Sequence, residues 1–446
     1  MLISFSVKNF LSFKDKVTFS MVASREKQHS ATVLNIKGYM RLLPAAAIYG
    51  GNASGKSNFI EALAFARQVV VQGNQPDSRI PVEPYRLDKS TNSAFTTFVF
   101  EIFTGNKCYE YGFSLTSRAV EEEWLIEILK TTEKTLYRRN NDSISFGNSL
   151  RSNKELPFLF KGTRDNQLFL TNAVSQKNEL FKPIYLWFRD TLILIGPDSR
   201  YGGFDKFIKS DSPLHEYMND SLEQMDTGIC SLGGEELDFD ALPVPPELLK
   251  KIKEDVQENK ILRFHLGRAD NRYIASLQDG EIIVQKLISY HKDSDGQKIR
   301  FDLQNESDGT LRILDLLPAF MAISGSAANK VLIIDELDRS LHTLLTRHLL
   351  ESYLSRCDRT SRSQLIFTTH DALLMDQNLL RRDEMWVMER AIDGSSIMIA
   401  FSEYKNIRND KDIRKSYLQG RLGGIPRILS NDLFSDLPVK NKPVGL

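Results

Sequence analysis

Residues 50–57 read GGNASGKS, which satisfies the spacing G-x-x-x-x-G-K-[ST] of a phosphate-binding loop. Glycines there let backbone N–H groups turn inward around phosphate oxygens with no Cβ in the way. Lys56 offers a cation to the β- and γ-phosphates, and the Ser57 hydroxyl is placed to ligate Mg²⁺. Gly50, Asn52, Ser54, Gly55, Lys56, Ser57 and Asn58 are therefore the candidate nucleotide contacts. A second set lies far along the chain. Val331-Leu-Ile-Ile334 is an apolar run ending in Asp335 and Glu336. At the C-terminal edge of a parallel sheet such an end faces the phosphate loop. Asp335 is then expected in the Mg²⁺ shell with Ser57, and Glu336 is expected to polarise a water for attack on the γ-phosphate.

His370 follows the next apolar run, 35 residues after Asp335. That leaves room for one crossover helix over 340–356 and a return strand, so the two residues emerge at neighbouring strand ends. An imidazole there can hydrogen-bond the γ-phosphate. Ser307-Asp-Gly-Thr310 precedes a helix expected over 311–323. Ser307 can cap it, Gly309 keeps the approach open, and the helix N-terminus can meet a phosphate other than the one on its own Lys56. Asp338, directly after the carboxylates, is expected near the same surface.

The elements that must position these groups are legible as patterns. Pro44-Ala-Ala-Ala-Ile-Tyr49 suits a buried strand, and residues 58–71 carry helical periodicity. Alternation predicts strands over 2–10 and 16–22, then a hairpin over 95–103 and 107–115 extended by 122–130 and 134–138. Residues 1–150 form one expected lobe. A largely helical insertion is expected over 151–260, with helices at 168–188, 213–225 and 246–259. Short strands over 261–266, 271–278, 282–291 and 298–303 lead into a second α/β lobe, 261–400. Its strands at 331–334, 364–368 and 385–388 are nearly pure apolar runs, as in a sheet covered on both faces. Residues 401–446 form a tail.

At 446 residues the chain is long enough for several lobes around a large core. Lys plus Arg and Asp plus Glu are both 58, so there is no global basic field to recruit nucleic acid. Any such binding needs a local patch, for which Arg381, Arg382, Arg408, Arg414 and Lys415 are the candidates. Cys108, Cys230 and Cys357 are scattered and without metal spacing. With Lys8 interrupting the N-terminal apolar residues and no run of membrane-spanning length, a soluble, cytoplasmic protein is expected.

The order of motifs is similar to that of a known group. GGNASGKSN, ESDGTLRIL at 306–314, VLIIDELDRSLH at 331–342 and TTHD at 368–371 resemble the ATP-binding cassette (ABC) ATPases of the SMC and Rad50 kind. More closely, the chain resembles single-chain ATPases of the OLD-like class from bacterial anti-phage and abortive-infection systems, of the RloA, AbiL and PtuA type. Residues 407–411 and 417–426 are similar to the tail of RloA-like members. The resemblance implies an ABC-type α/β head split by a helical insertion, with an antiparallel β subdomain. It implies ATP and Mg²⁺ as cofactors, and a homodimer or higher homo-oligomer in which ATP is sandwiched. Lys56, Ser57, Asp335 and Glu336 would act from one subunit, and Ser307, Gly309 and Asp338 from the other. Three departures stand out: Asp308 occupies a position where transporter-type signatures have glycine, residues 81–87 hold no glutamine for the family's Mg²⁺-sensing loop, and no heptad run of coiled-coil length is present.

Three functions follow as expectations. One is a slow, regulatory ATPase that senses infection and controls a separate effector nuclease of Toprim or HNH type. A self-contained nuclease is disfavoured, since only 46 residues follow Ala400. The third is an SMC- or Rad50-like DNA-binding or repair ATPase.

Overall fold

In the computed structural model the described residues are 1–208, 212–266, 271–325, 327–404 and 412–425. Their architecture is mixed α/β, with a largely parallel sheet carrying the phosphate loop and a separate antiparallel β subdomain. The central sheet runs Leu192–Ile195, Val331–Ile334, Gln364–Thr368, Ala45–Tyr49, Met385–Arg390, Ser396–Ala400 among the described residues. All neighbours in it are parallel except the last pair. Its inner strands are buried along their length, which explains their unbroken apolar character.

One face of this sheet is covered by the helix Lys56–Val71, which starts directly from the phosphate loop. That helix buries Phe59, Ala62, Leu63, Ala66 and Val70. Beyond it lies a seven-stranded antiparallel sheet, in the order Ser143–Phe146, Glu133–Asn140, Val120–Ile128, Lys107–Leu115, Thr96–Thr104, Leu2–Lys8, Val17–Ser20. Phe5 and Phe19 of that sheet each pack an edge against Phe59, at 5.5 Å between ring centroids. The loop helix is thus held between two sheets within one continuous core. The helices Asp308–Ser324 and Thr343–Leu354 contribute to a second core on the opposite face of the central sheet.

A third sheet joins Ile229–Leu237, Glu281–Lys292, Asn271–Gln278 and Ile261–Leu266, with Lys298–Asp302 also paired to Glu281–Lys292. The helix Pro246–Asn259 covers it through Ile252 and Val256. Ile229, Leu232, Ile274 and Leu287 of this sheet are part of the second core, and an ion pair adds to that attachment. Arg272, fully buried, makes paired contacts of 2.8 and 3.0 Å with Asp315 of the helix Asp308–Ser324.

Several sequence expectations need correction. The single helix over 168–188 is two short helices, Phe169–Ser175 and Lys182–Leu186, followed by a π turn over Trp187–Thr191. Lys177 adopts φ 67°, Asn178 caps Leu180 N–H, and Pro183 lies in the first turn of the second helix, so the chain is broken where periodicity alone ran on. Within 151–260, Leu192–Ile195 and Ile229–Leu237 are strands, and the first is the edge of the central sheet. A four-residue apolar run cannot be told from a buried helix turn by pattern. Arg381 and Arg382 form no surface patch: they are 0% and 5% exposed. Arg381 binds Asp383 and the carbonyls of Glu26 and Gln28. Arg408, and the tail resemblance over 407–411 and at Pro426, lie outside the described residues.

Candidate functional site

The phosphate loop leaves the buried strand Ala45–Tyr49 and turns through two positions that accept no side chain. A Cβ on Gly50 would lie 2.4 Å from the Met388 carbonyl oxygen and 2.7 Å from Ser54 Oγ. One on Gly55, at φ 107°, would lie 2.1 Å from Ser396 Oγ. Ala53 takes the left-handed conformation at φ 58°. The loop is also fastened from outside. Ser396 Oγ donates to Ser54 O at 2.7 Å and, its one proton so used, accepts from Ser12 Oγ at 2.8 Å, tying the loop to the edge hairpin and to the turn between the first two strands.

Lys56 begins the helix and curls back over the loop, its Nζ donating to Gly50 O at 2.7 Å and Gly51 O at 3.2 Å. The residue is 5% exposed. Burial pulls its amine down to about 8, opposed by the negative charges of Asp335, Glu336 and Asp338. Asn52, Ser54, Gly55, Lys56, Ser57 and Asn58 line one cleft of about 610 Å³ together with Glu336 and His370. Residues 52–58 are thereby brought together with residues 336 and 370, from the far end of the chain. Gly50 and Asp335 are not on the lining; both are buried beside it.

Parallel register explains the juxtaposition. Ile334 pairs Phe367, and Thr368 pairs Ile48, so the ends of three strands emerge side by side. Thr368 Oγ1 donates to Asp335 Oδ1 at 2.6 Å and accepts Glu336 N–H at 2.8 Å. Glu336 has φ 50°, and its Oε1 lies 3.9 Å from His370 Nε2. The His370 N–H donates to Asp338 Oδ2 at 3.3 Å. Asp338 therefore sits beside His370 of its own chain, with Oδ1 buried and without a hydrogen bond.

Ser307 and Gly309 are not in this cleft. Ser307 Oγ caps its helix by accepting Thr310 N–H at 3.1 Å. A Cβ on Gly309 would lie 2.7 Å from Ser340 O, so close packing of this helix on the loop after the carboxylates itself requires glycine. Asp308 lines a second cleft, of about 440 Å³, with Arg312, Arg339, Ser340 and residues 197–200.

Sequence reasoning missed three contributors. Arg312, buried on the helix of Ser307, donates to Gly196 O, Pro197 O and Asp335 O. The turn at 196–200 follows the overlooked edge strand, whose Ile195 O accepts Asp335 N–H at 2.9 Å. Thr368, a hydroxyl ending a fully buried strand, had a legible signal: polarity at the strand's end, two residues before His370.

The donor set suits a phosphate-bound hard cation. Ser54 Oγ is buried inside the loop without a partner. The Ser57 side chain faces the cleft, and Asp335 Oδ2 makes no hydrogen bond among the described residues. Groups of three or more His, Cys, Asp or Glu able to hold a metal unaided are absent among the described residues. No described helix is long and apolar enough to cross a membrane.

Two solved structures are similar at low identity. An SMC head domain from Thermotoga maritima is 14% identical, with 90% of this chain and 98% of that one covered and a TM-score of 0.35. An SMC head bound to the C-winged helix domain of ScpA is 13% identical, with 91% and 99% covered and a TM-score of 0.39. No curated protein matches the sequence. The model of one protein family, however, matches residues 45–376, from the phosphate-loop strand past His370 and so most of the chain. The chain belongs to that AAA family, described as "AAA domain, putative AbiEii toxin, Type IV TA system".

Proposed function

We propose that the chain is an ATPase whose nucleotide-bound state is a homodimer or higher homo-oligomer. The observation that carries this reading is the cleft itself, where Lys56 and Ser57 face Glu336 and His370 across a loop closed to side chains at Gly50 and Gly55. Membership of an AAA family implies nucleotide binding. Lys56 exchanges its two loop carbonyls for phosphate oxygens, and the loop N–H groups surround the remaining charge. Mg²⁺, held by Ser57 and Asp335, would neutralise charge between the terminal phosphates. Glu336 accepts a proton from the attacking water, and His370 lies within reach of Glu336 to hold the γ-phosphate side of the cleft. Ser307, Gly309 and Asp338 of a second copy complete the ligand shell, so that nucleotide state sets quaternary state.

The biological role we infer is in bacterial anti-phage defence. There slow turnover reports infection to a separate effector nuclease of Toprim or HNH type. The toxin–antitoxin wording of the family description agrees with a role in growth arrest. The runner-up, an SMC-like DNA-binding or repair ATPase, loses two of its candidate cations, because Arg381 and Arg382 are buried. Salt-dependent affinity for duplex DNA would revive it.

ATP turnover and oligomeric state, measured for wild type, Lys56→Ala and Glu336→Gln, test the proposal. Lys56→Ala should lose nucleotide binding. Glu336→Gln should bind ATP, lower turnover by about 100-fold or more, and accumulate as the nucleotide-bound oligomer. A Glu336→Gln protein that hydrolyses at the wild-type rate and stays in its nucleotide-free oligomeric state would sink it.

A further inference from the structure

Three consecutive residues after the strand Val331–Ile334 are anchored by one residue of the neighbouring strand. Thr368 Oγ1 donates to Asp335 Oδ1 at 2.6 Å and accepts Glu336 N–H at 2.8 Å, and Thr368 O accepts Leu337 N–H at 3.0 Å. Thr368 is fully buried. A hydroxyl has one proton to donate, so its direction is fixed: with the N–H of Glu336 pointing at the oxygen, the proton lies on the Asp335 side.

This is unlike the usual behaviour of a threonine at a strand end. Thr369, next along, does the ordinary thing, accepting the N–H of Asp371 two residues on and closing a local turn. Thr368 instead reaches across to a chain segment 33 residues earlier. Two consequences follow. Asp335 has Oδ1 engaged, which fixes the carboxylate plane and leaves Oδ2 as its open oxygen. Glu336 is held at φ 50°, a conformation an L-residue with a long side chain keeps only when its surroundings impose it. That conformation turns its carboxylate toward His370 and the phosphate loop.

We propose that Thr368 is the positioning residue that sets both carboxylates of the site, orienting Asp335 for the metal and Glu336 for the water. The proposal rests on the roles given to Asp335 and Glu336 above. Thr368 touches neither nucleotide nor metal; it acts through the other two. Its removal should therefore spare the phosphate loop and act on metal use and on the chemical step. Valine has the same shape and lacks the hydroxyl, leaving Glu336 N–H without its acceptor and Asp335 free to rotate.

The test uses the full chain with Thr368→Val, Thr368→Ala and Thr368→Ser beside wild type. A fluorescent ATP analogue is titrated first in EDTA, then Mg²⁺ is titrated into the complex, and single-turnover ATP hydrolysis is timed. Both hydroxyl-free variants should keep the Mg²⁺-free affinity. Their Mg²⁺ half-saturation should rise by about 10- to 100-fold, with hydrolysis slowed over the same range, as for loss of a group that orients a metal ligand. Thr368→Ser should return both readouts close to wild type. Wild-type Mg²⁺ half-saturation in a hydroxyl-free variant overturns the proposal. So does a serine variant as impaired as valine, since packing of the methyl would then be the cause. Failure of the underlying reading looks different: the wild-type protein itself would take up no analogue, with or without Mg²⁺.

Discussion

Glu123 and Asp335 are both carboxylates sealed from solvent, at 0% and 4% exposure, yet their surroundings are opposite. Glu123 stands on the antiparallel sheet with both oxygens engaged. It accepts from Tyr111 Oη at 3.0 Å, Tyr137 Oη at 2.8 Å, Phe169 N–H at 2.6 Å and Leu170 N–H at 3.0 Å. Arg139 lies 3.9 Å away. Asp335 has one hydrogen bond to its carboxylate, from Thr368. Near it are Ser54 Oγ, buried without a partner, and Lys56, whose hydrogen bonds go only to loop carbonyls. A buried polar group with every valence filled holds a fold together; one left open awaits a ligand. The difference separates structural charge from functional charge in this chain, which burial alone would not do.

The comparison breaks most visibly at Glu123. Replacing it with alanine strands two tyrosine hydroxyls and two helix N–H groups in the core. We expect a loss of about 3–5 kcal/mol in urea denaturation, with ATP affinity of the folded protein unchanged. Glu123→Gln keeps an accepting oxygen and should lose less, about 1–3 kcal/mol. Weakened ATP binding at unaltered stability would show that Glu123 belongs with the site and that the distinction is wrong.

Ser54→Ala is the converse case. Its hydroxyl contributes no hydrogen bond to the folded protein, so stability should hold or improve, by at most about 1 kcal/mol. ATP affinity should fall by about tenfold, the worth of one hydrogen bond to a charged phosphate. Calorimetric titration of ATP beside a thermal melt checks both halves. A variant that loses stability and keeps affinity would mean that the hydroxyl has a structural partner.

Which parts were legible in sequence follows the same division. The loop, the carboxylate pair and His370 could be read because their chemistry fixes residue type and spacing, and the strands Val331–Ile334 and Gln364–Thr368 because burial on both faces leaves only apolar residues. The helix Pro246–Asn259 announced itself by prolines at its start and a charged face. The edge strand Leu192–Ile195 did not, since its identity depends on pairing with Val331–Ile334, a segment more than 130 residues away. Arg381 and Arg382 were misread for the same reason. Adjacent arginines look like a surface patch until Asp383, Glu26 and Gln28 are seen to enclose them. Thr368 is ordinary in sequence, and its importance lies in two hydrogen bonds across a strand gap.

Lys56 supplies the finest test, because its charge should act in opposite directions on folding and on binding. Burial pulls its amine from 10.5 to about 8, whereas the unfolded chain keeps the proton to about 10.5. Between those values the unfolded state binds more protons, so this group makes the nucleotide-free protein more stable as pH rises through that window. Phosphate needs the ammonium form, so ATP affinity should move the other way. With a midpoint near 8, the charged fraction falls about threefold between pH 7.5 and 8.5, and Mg²⁺-free ATP affinity should fall with it. Lys56→Arg stays charged throughout and should flatten the profile even if its guanidinium fits the loop less well. A wild-type affinity independent of pH over that interval would place the Lys56 midpoint above it. The amine would then be less desolvated than the cleft implies, and the open, ligand-awaiting character assigned to this side of the comparison would shrink accordingly.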